Sequence, residues 1–516
     1  MQQYIWKSKG LWLFVPLVIM AYFPVFMRLD VMTLRPWDES ILGINVMEMM
    51  DNHNPIVTYF YGHPEMSNCK PPLAIWLMAI CGKIFGFNEL SLRLPSALAA
   101  FALCLYLFFA LGKYARSYVF SFLVVGVLLG CQGYVRNHVI RTGEYDSLLV
   151  LFSCLFSLHL FFATEAEEPK ERGRHLLLFF VFLTLAVLTK GIACMMLAPG
   201  LFVFVLLRKK LLVFLKDRNT YWGLLVFLVF GLGYYLLREQ LNPGYLQAVW
   251  ENELGGRFAG NQGHPGGWSF YFKEILEWQF TYYKFLFPAA LLSGLLLAPS
   301  PLKKLTAFSI CITGFFLLVI SSAQTKLPHY NAPAFPFLAV IIAVLIYQLF
   351  VLIIHNSKMV GRVTAFAIAS IVCLSLMANP YYDAVKRVYE AKGDSWDEGF
   401  TRNCGFFRFV LRDNQRFPQY KIPFDLNVQE NYGEYNILNC YGRMLKEKGL
   451  SMQLISFSGF KAGDEVVAFG DWKKHLLEEK YFTRTLAYIP ECDAYYLAID
   501  SAVVYRDSTS YQSTLP

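Results

Sequence analysis

Long apolar runs recur along the whole chain and decide what it can fold into. Nearly uncharged stretches of about 17 or more residues are long enough to cross the hydrocarbon core of a bilayer. Only 16% of the 516 residues are charged, while 56% are hydrophobic. The sequence therefore predicts a mainly α-helical, polytopic membrane bundle of about 11–13 spans. We place eleven of them at 11–27, 94–112, 117–135, 147–164, 176–189, 191–207, 220–237, 282–300, 305–321, 333–354 and 363–379, with 73–86 as a shorter interfacial helix.

The charges between these runs predict which segments share a side of the membrane. With the N-terminus inside, every short inside connection carries Lys or Arg close to a span end, as the positive-inside rule requires. The net charge of +8 is spread over these clusters, which argues against a nucleic-acid partner. The long polar segments then lie on the non-cytoplasmic side: 28–93, 136–146, the turn at 190, 238–281, 322–332 and everything after about 380.

Lys190 is the weak point of this topology because it interrupts a 32-residue apolar stretch. A single long helix would leave the lysine in the membrane at a cost of roughly 2.5–3.5 kcal/mol. It would also move Arg208 and the later loops to the opposite side. A hairpin that turns at Thr189, Lys190 and Gly191 avoids both problems, and it is the structure we predict.

The C-terminal part of the chain has a different, more polar composition. We divide the chain into a transmembrane domain, 1–380, with a first outer loop at 28–93, and a small α/β domain, 381–516, outside the membrane. Strands are predicted at Glu465–Phe469 and Tyr495–Ile499 and a short helix at Lys473–Lys480. One disulfide could form among Cys404, Cys440 and Cys492, but the pair cannot be deduced from sequence.

Several outer loops begin or end with residues suited to acid–base or anion chemistry. Asp38 and Glu39 could act as a general base or bind a cation, and they also suit the start of a helix. Lys70 precedes Pro71-Pro72 where a phosphate head group would lie, although it could merely reach the interface. Arg141 could bind a phosphate bidentately and Asp146 a cation or sugar, or the two could belong to an ion-pair network within the loop.

The later outer loops add further candidates at the same membrane face. His264 lies beside glycines, and imidazole is a common metal ligand, although a lone histidine more often binds no metal. Carboxylates together with several cations at a lipid interface fit an anionic lipid-phosphate substrate. Because the exterior lacks nucleotide sugars, sugar transfer there implies a polyprenyl-phosphate donor. For such a donor, the predicted catalytic residues are Asp38 and Asp146 and the predicted ligands of its phosphate are Lys70, Arg141, Lys190 and Tyr330. The other predicted cavity residues are Glu39, Tyr59, Tyr61, Lys326 and His329.

The order of these motifs resembles a known family, the bacterial 4-amino-4-deoxy-arabinose lipid A transferases and the related protein mannosyltransferases of the membrane GT-C fold. The resemblance covers about 28–335. Its motifs are Asp38-Glu39, Cys69-Lys70-Pro71-Pro72-Leu73, Phe85-Gly86, Arg93-Leu94-Pro95-Ser96, Arg141-Thr142-Gly143, Thr189-Lys190-Gly191 and Lys326-Leu327-Pro328-His329-Tyr330.

The resemblance implies roles for individual positions. Asp38 matches the family's catalytic aspartate, Lys70 a lysine associated with the carrier-lipid phosphate, and Asp146 an acidic residue of a later loop. Lys190 and Tyr330 are implied to face the cavity, and His264 matches a histidine that helps to bind a metal in some members. Two departures stand out: Cys69 replaces the glutamate of members with that metal site, and Ser40-Ile41-Leu42 replaces an Arg-Tyr after the acidic pair.

Both departures leave questions open. Cys69 and His264 could together hold a divalent metal, zinc or magnesium, or the metal could be absent. The second departure leaves an arabinose donor and a lipid A acceptor in doubt.

The resulting functional hypothesis is a glycosyltransferase of the bacterial inner membrane with its active face in the periplasm. It would move a hexose or pentose from a polyprenyl phosphate such as undecaprenyl phosphate to lipid A, lipopolysaccharide or another glycolipid. A protein acceptor, as in O-mannosyltransferases, or a polysaccharide acceptor is the alternative. A transporter or flippase for a polar lipid is less favoured, because the spans carry few charges and no two halves match.

Overall fold

The structure is a computed structural model that describes residues 10–135, 138–260, 263–355, 361–390, 419–423, 432–447, 449, 451–455, 459–490 and 493–502. The chain divides into two compact units. The first comprises Met1–Val31 and Glu48–Lys392, and the second comprises Met32–Met47 and Gly393–Pro516. Of the three cysteines considered for a disulfide, Cys404 and Cys492 lie outside the described residues, and Cys440 is buried.

The described part of the first unit has a short antiparallel pair, β1 Tyr59–Phe60 and β2 His63–Pro64, and otherwise consists almost entirely of helices. Their bounds are α1 Phe14–Val25, α2 Asp38–Asp51 (which begins in the second unit), α3 Leu73–Phe85, α4 Glu89–Tyr114, α5 Tyr118–Leu129, α6 Gln132–Val135, α7 Asp146–Glu165, α8 Pro169–Lys190, α9 Ala198–Leu207, α10 Leu211–Leu215, α11 Arg218–Val226, α12 Gly233–Leu241, α13 Tyr245–Val249, α14 Phe270–Lys273, α15 Phe287–Leu292, α16 Ser300–Ser322, α17 Phe335–His355 and α18 Arg362–Glu390. A 3-10 segment at Gly191–Leu197 joins α8 to α9, another at Pro328–Ala334 precedes α17, and a π-helical segment at Trp250–Ala259 follows α13.

Each of the eleven predicted spans overlaps one of these helices. Within the described residues, seven helical runs are long and apolar enough to cross a membrane, and four shorter apolar helices accompany them. The predicted polytopic helical bundle is therefore confirmed. The seven runs are Glu89–Tyr114, Asp146–Glu165, Pro169–Leu207, Arg218–Leu241, Ser300–Ser322, Pro328–His355 and Arg362–Glu390.

The run Pro169–Leu207 turns back on itself, as the position of Lys190 predicts. α7 has 20 residues and so spans about 30 Å. Lys190 pairs with Asp146 at the first residue of α7, whereas Arg208 pairs with Glu165 at its last residue. The chain therefore travels the length of α7 between residues 190 and 208. Gly191 permits the turn with φ of +58°, and a Cβ there would lie 2.6 Å from the hydroxyl of Tyr235.

The end of α7 at Glu165 gathers the predicted inside connections. The Glu165 carboxylate lies 2.6 Å from Arg208 Nη2 and 2.7 Å from Lys304 Nζ, and it accepts a hydrogen bond from the Tyr114 hydroxyl at 3.3 Å. Tyr114, Arg208 and Lys304 belong to three of the predicted inside connections, 113–116, 208–218 and 303–304. The Asp146–Lys190 pair lies at the other end of α7, so the predicted grouping of the loops is confirmed for these segments.

Within its described residues, the C-terminal part of the second unit contains a mixed five-stranded sheet and two helices. β3 Gln419–Pro423 pairs in parallel with β4 Ser451–Ile455 and with β5 Glu465–Phe469, while β7 Ala494–Ala502 lies antiparallel between β5 and β6 Tyr481–Ile489. The strand order is β4-β3-β5-β7-β6, and the helices are α19 Tyr432–Glu447 and α20 Gly470–Glu478. Alternate residues of β5 and β7 meet Leu477 of α20 in a small core. The predicted α/β character, both predicted strands and the helix are confirmed.

Candidate functional site

A buried ion pair forms the centre of the candidate site. Lys190 Nζ donates to both carboxylate oxygens of Asp146, at 2.7 Å each. Both side chains are less than a tenth exposed. The ammonium also lies 5.6 Å from the centre of the Tyr330 ring, within the range of a cation–π contact. The three residues come from the start of α7, the end of α8 and the 3-10 segment before α17, so the fold joins positions far apart in sequence.

The ion pair lines a cavity of about 630 Å³, counting the space at its mouth. Its walls are mostly apolar, which is typical of sites that bind organic ligands. A few polar groups project into it and could orient a substrate. The polar or aromatic lining residues are Asp146, Lys190, Glu253, Phe258, Tyr271, Phe316, Thr325 and Tyr330, and the remaining ones are Leu149, Ala193, Met196, Ile320, Ala323 and Pro333.

Lys70 lies beside this cavity, and polar and aromatic side chains surround its ammonium group. Its Nζ donates to Asn68 Oδ1 at 3.0 Å, lies 3.8 Å from the Glu253 carboxylate, and sits 5.5 Å from the centre of the Tyr145 ring. Lys70 is 7% exposed. Tyr145 immediately precedes Asp146, so both lysines lie beside the start of α7. Two buried ammonium groups next to a mostly apolar cavity suit an anion that carries an apolar chain.

Three side chains of segment 238–252 hold the backbone around Lys70. The Tyr245 hydroxyl donates to the Cys69 carbonyl at 2.7 Å, and Asn252 Nδ2 donates to the Met66 carbonyl at 3.0 Å. Arg238, which is fully buried, donates to the Glu65 carbonyl at 3.2 Å and lies over the Tyr245 ring. Segment 238–252 thereby fixes the loop that carries Lys70.

Cys69 and His264, the two predicted metal ligands, have different environments in the structure. Burial raises the pKa of the Cys69 thiol to about 11, and the neutral thiol donates to the Met66 carbonyl at 2.9 Å. The side chain of His264 is exposed. Among the described residues, no cluster of three or more metal-ligating side chains includes either residue. A metal held by Cys69 and His264 therefore stays a prediction, and we derive no chemistry through it.

Arg141 supports a helix end in the structure. Its guanidinium donates to the carbonyls of Pro24 at 3.0 Å, Met27 at 3.0 Å and Arg28 at 3.1 Å. These carbonyls lie at and beyond the carboxyl end of α1, where a cation also stabilises the helix dipole. Arg141 is not among the cavity-lining residues. Its predicted role in binding a carrier phosphate stays a prediction.

Replacing Arg141 with methionine tests the two roles. Loss of these charge-assisted hydrogen bonds is expected to destabilise the protein by about 2 kcal/mol. We expect a lower melting temperature in detergent, with catalytic activity at saturating donor changed less than about threefold. Arg141→Lys keeps the charge but not the planar fork, so its melting temperature should lie between those of the wild type and Arg141→Met. An unchanged melting temperature with much weaker donor binding would instead favour the phosphate role.

Asp38 and Glu39 belong to the second unit and have different environments. Asp38 is the first residue of α2 and is exposed. Glu39 is buried, and its Oε2 accepts a hydrogen bond from the Arg35 backbone N–H at 2.8 Å. Glu39 therefore stabilises the turn that starts the helix, while the Asp38 carboxylate is open to solvent. Both assignments to the site stay predictions.

The remaining candidates lie outside the cavity wall described above. Tyr59 belongs to a two-residue strand, β1 Tyr59–Phe60, which pairs with β2 His63–Pro64. At the turn between them, the Tyr61 ring contacts the Phe60 ring at a tilt of 44°. His329 stacks on His138, which itself contacts Glu144.

Lys326 helps to build the wall of the cavity from outside it. Its side chain is buried with Nζ on the Ala323 carbonyl, and its backbone N–H donates to the His264 carbonyl at 3.0 Å. The stretch 323–326 thereby lies against residues 258–260 and 263–265 beside the cavity.

Sequence reasoning missed the contributions of Glu253, Asn68 and Tyr271. Glu253 and Tyr271 line the cavity, and Asn68 holds both Lys70 and, through its amide, the Tyr145 hydroxyl at 2.9 Å. None of the three lies in a recognisable motif. The only signal was their presence in outer loops next to residues that were predicted.

Comparison with known proteins agrees with this architecture. Residues 69–236 match the family described as dolichyl-phosphate-mannose-protein mannosyltransferase. The structure of ArnT from Cupriavidus metallidurans bound to undecaprenyl phosphate superposes with a TM-score of 0.66 over 95% of this chain and 98% of that chain, at 14% identity. The chain therefore has the GT-C fold of ArnT. It is accordingly an integral, multi-pass membrane protein, and the resemblance seen in its motifs is confirmed.

Two further relatives extend the comparison. The undecaprenyl phosphate-alpha-4-amino-4-deoxy-L-arabinose arabinosyl transferase of Shewanella sediminis is 27% identical over 65% of this chain and 60% of its own length. An uncharacterized protein of Aquifex aeolicus is 26% identical over 65% of this chain and 63% of its own length. The match thus spans less than two thirds of these curated relatives. The archaeal oligosaccharyltransferase AglB from Archaeoglobus fulgidus, in complex with an inhibitory peptide and a dolichol-phosphate, shares the fold with a TM-score of 0.53 over 96% of this chain and 74% of that chain, at 13% identity.

Proposed function

We propose that this protein is a glycosyltransferase that moves a monosaccharide from a polyprenyl-phosphate carrier to an acceptor outside the cytoplasm. The observation that carries the proposal is the presence of two buried ammonium groups, Lys70 and Lys190, beside a mostly apolar cavity. Two GT-C neighbours, ArnT and AglB, have structures with undecaprenyl phosphate and dolichol-phosphate respectively. A lipid phosphate has the charge and the apolar chain that this combination of groups would bind.

The proposed reaction is an inverting transfer. The acceptor oxygen attacks the anomeric carbon, the bond between that carbon and the phosphate oxygen breaks, and its electron pair leaves with the lipid phosphate. Lys70 would stabilise the charge on the departing phosphate. Asp38 would accept the proton of an acceptor hydroxyl, or would position the acceptor if the attacking oxygen belongs to a phosphate. Asp146 would hold Lys190 and the sugar in place, with Tyr330 beside them.

We further propose that the cavity opens toward the periplasm of a bacterial inner membrane and that a glycolipid such as lipid A is the acceptor. The basic connections at the Glu165 end of α7 support this orientation, because such connections normally stay in the cytoplasm. The family match over residues 69–236 favours a second candidate, a protein acceptor. Mass spectrometry of lipid A and of periplasmic proteins, from cells with and without the gene, would distinguish the two by a mass increase of one sugar.

An Asp38→Asn variant provides the test of the reaction. Membranes are supplied with a panel of radiolabelled polyprenyl-phosphate monosaccharides, and transfer of label to the acceptor fraction is measured. Loss of a general base typically reduces the rate by about 10²–10⁴-fold, and we expect a loss of that order. Because Asp38 is exposed, the variant should fold normally.

Asp51→Asn is the matched control, since Asp51 is the last residue of the same helix and is also exposed. It should retain wild-type transfer. Near wild-type transfer by Asp38→Asn would show that Asp38 is not the general base. Failure of the wild-type protein to consume any member of the panel would overturn the proposed function itself.

A further inference from the structure

Glu253 occupies a position that the proposed reaction does not yet use. It lies on the π-helical segment Trp250–Ala259 and lines the same cavity as Asp146 and Lys190. Its neighbour Asn252 fixes this part of the segment, because the amide donates to the carbonyls of Met66 at 3.0 Å and Ala248 at 2.9 Å. The Glu253 carboxylate is therefore held beside the loop that carries Lys70.

The two lysine–carboxylate pairs of the site differ in how closely they are joined. Asp146 binds Lys190 through both oxygens at 2.7 Å, as a hydrogen-bonded ion pair. Glu253 approaches Lys70 only to 3.8 Å, beyond hydrogen-bond distance, and Lys70 donates instead to Asn68. Both side chains of the looser pair are largely buried, at 7% and 16% exposure, so screening by water is weak.

A phosphate that binds Lys70 must come close to the Glu253 carboxylate. The two anions repel each other, and the repulsion is strong in a poorly hydrated site. Glu253 therefore lowers the affinity of Lys70 for a phosphate while it stabilises the buried ammonium when no phosphate is bound. In the tighter Asp146–Lys190 pair, a phosphate would displace the carboxylate from the ammonium less readily.

Resting on the proposed function, we propose that Glu253 is a positioning residue that exchanges with the carrier phosphate as the counter-ion of Lys70. It holds the ammonium in place before the donor binds. After the sugar has been transferred, it competes with the spent polyprenyl phosphate and so promotes release of the carrier. The residue tunes affinity for the lipid phosphate and makes no contact with the reacting carbon.

Binding of undecaprenyl phosphate to the full-length protein in nanodiscs tests this role. We expect Glu253→Gln, which keeps the shape but not the charge, to bind this probe about tenfold more tightly than the wild type. In turnover assays, both KM for the donor and kcat should fall, because release of the spent carrier becomes slower. A residue with a purely structural role would not tighten binding.

Two further variants guard against indirect effects. Glu251→Gln removes a carboxylate from the same segment, but this one is exposed and contacts Gln247, so binding should stay within about twofold of wild type. Glu253→Asp keeps the charge and should bind more like the wild type than like Glu253→Gln. Unchanged or weaker binding by Glu253→Gln, with normal binding by the wild type, would overturn the exchange role alone. A wild-type protein that does not bind undecaprenyl phosphate would overturn the proposed function.

Discussion

Replacing Asp146 with asparagine is expected to abolish transfer and to destabilise the protein. The change leaves the Lys190 ammonium buried without the carboxylate that now binds it through two 2.7 Å contacts. Breaking a buried ion pair by removing one partner typically costs about 3–5 kcal/mol. We expect a correspondingly lower melting temperature and at least a hundredfold loss of labelled-sugar transfer.

The double variant Asp146→Asn with Lys190→Met separates stability from activity. Replacing both members of a buried pair with uncharged groups is often neutral for stability or even favourable. The melting temperature should therefore return toward that of the wild type, while transfer stays lost because the cavity has lost both charges. Recovery of transfer in the double variant would mean that the pair serves the fold alone.

Asp217→Asn is a matched control for the ion-pair experiment. Asp217 is also a largely buried carboxylate, and it contacts Arg172 at 3.4 Å on the Glu165 side of the bundle. It also accepts a hydrogen bond from the Asn219 backbone N–H at the start of α11, a role that asparagine fills equally well. We expect a smaller loss of stability and unchanged transfer. A loss of transfer comparable to that of Asp146→Asn would indicate that activity responds to any disturbed ion pair.

The grouping of helix ends could be predicted from sequence because a membrane imposes it through simple physics. A lysine in lipid is costly, so Lys190 had to lie at a turn, and the short basic connections had to share a side. The same reasoning could not decide what the polar residues contact. Arg141 has the chemistry of a phosphate ligand, yet backbone carbonyls can accept the same hydrogen bonds. Nothing in its sequence context shows which of these acceptors the guanidinium binds.

The environments of Cys69 and Glu253 could not be predicted from the sequence, for a different reason. Both depend on segment 238–259, which packs on the loop before α3 through Tyr245 and Asn252. Part of that segment is π-helical, so its side chains do not follow the 3.6-residue period that guides prediction. A buried thiol in an apolar cluster and a carboxylate beside Lys70 become visible only when this packing is known.

Lys70→Met is the second substitution for which we expect a large effect. The thioether side chain is about as long as that of lysine but carries no charge, so the proposed departing phosphate would lose its nearest cation and face Glu253 instead. Loss of one preorganised electrostatic group typically reduces the rate by about 10²–10³-fold. We expect a loss of transfer in that range, together with at least tenfold weaker binding of undecaprenyl phosphate.

The expected loss should follow the charge at this position and not the disturbance of the loop. Lys70→Arg keeps a cation, although its planar fork fits the contact with Asn68 less well, so binding should be partly retained and transfer reduced. Lys83→Met removes an exposed lysine near the end of α3, the helix that follows Lys70, and should change neither property. If Lys70→Met bound the carrier as tightly as the wild type, the phosphate site would have to be assigned to Lys190. The inferred exchange with Glu253 would then lose its basis as well, because it requires the phosphate and the carboxylate to compete for one ammonium.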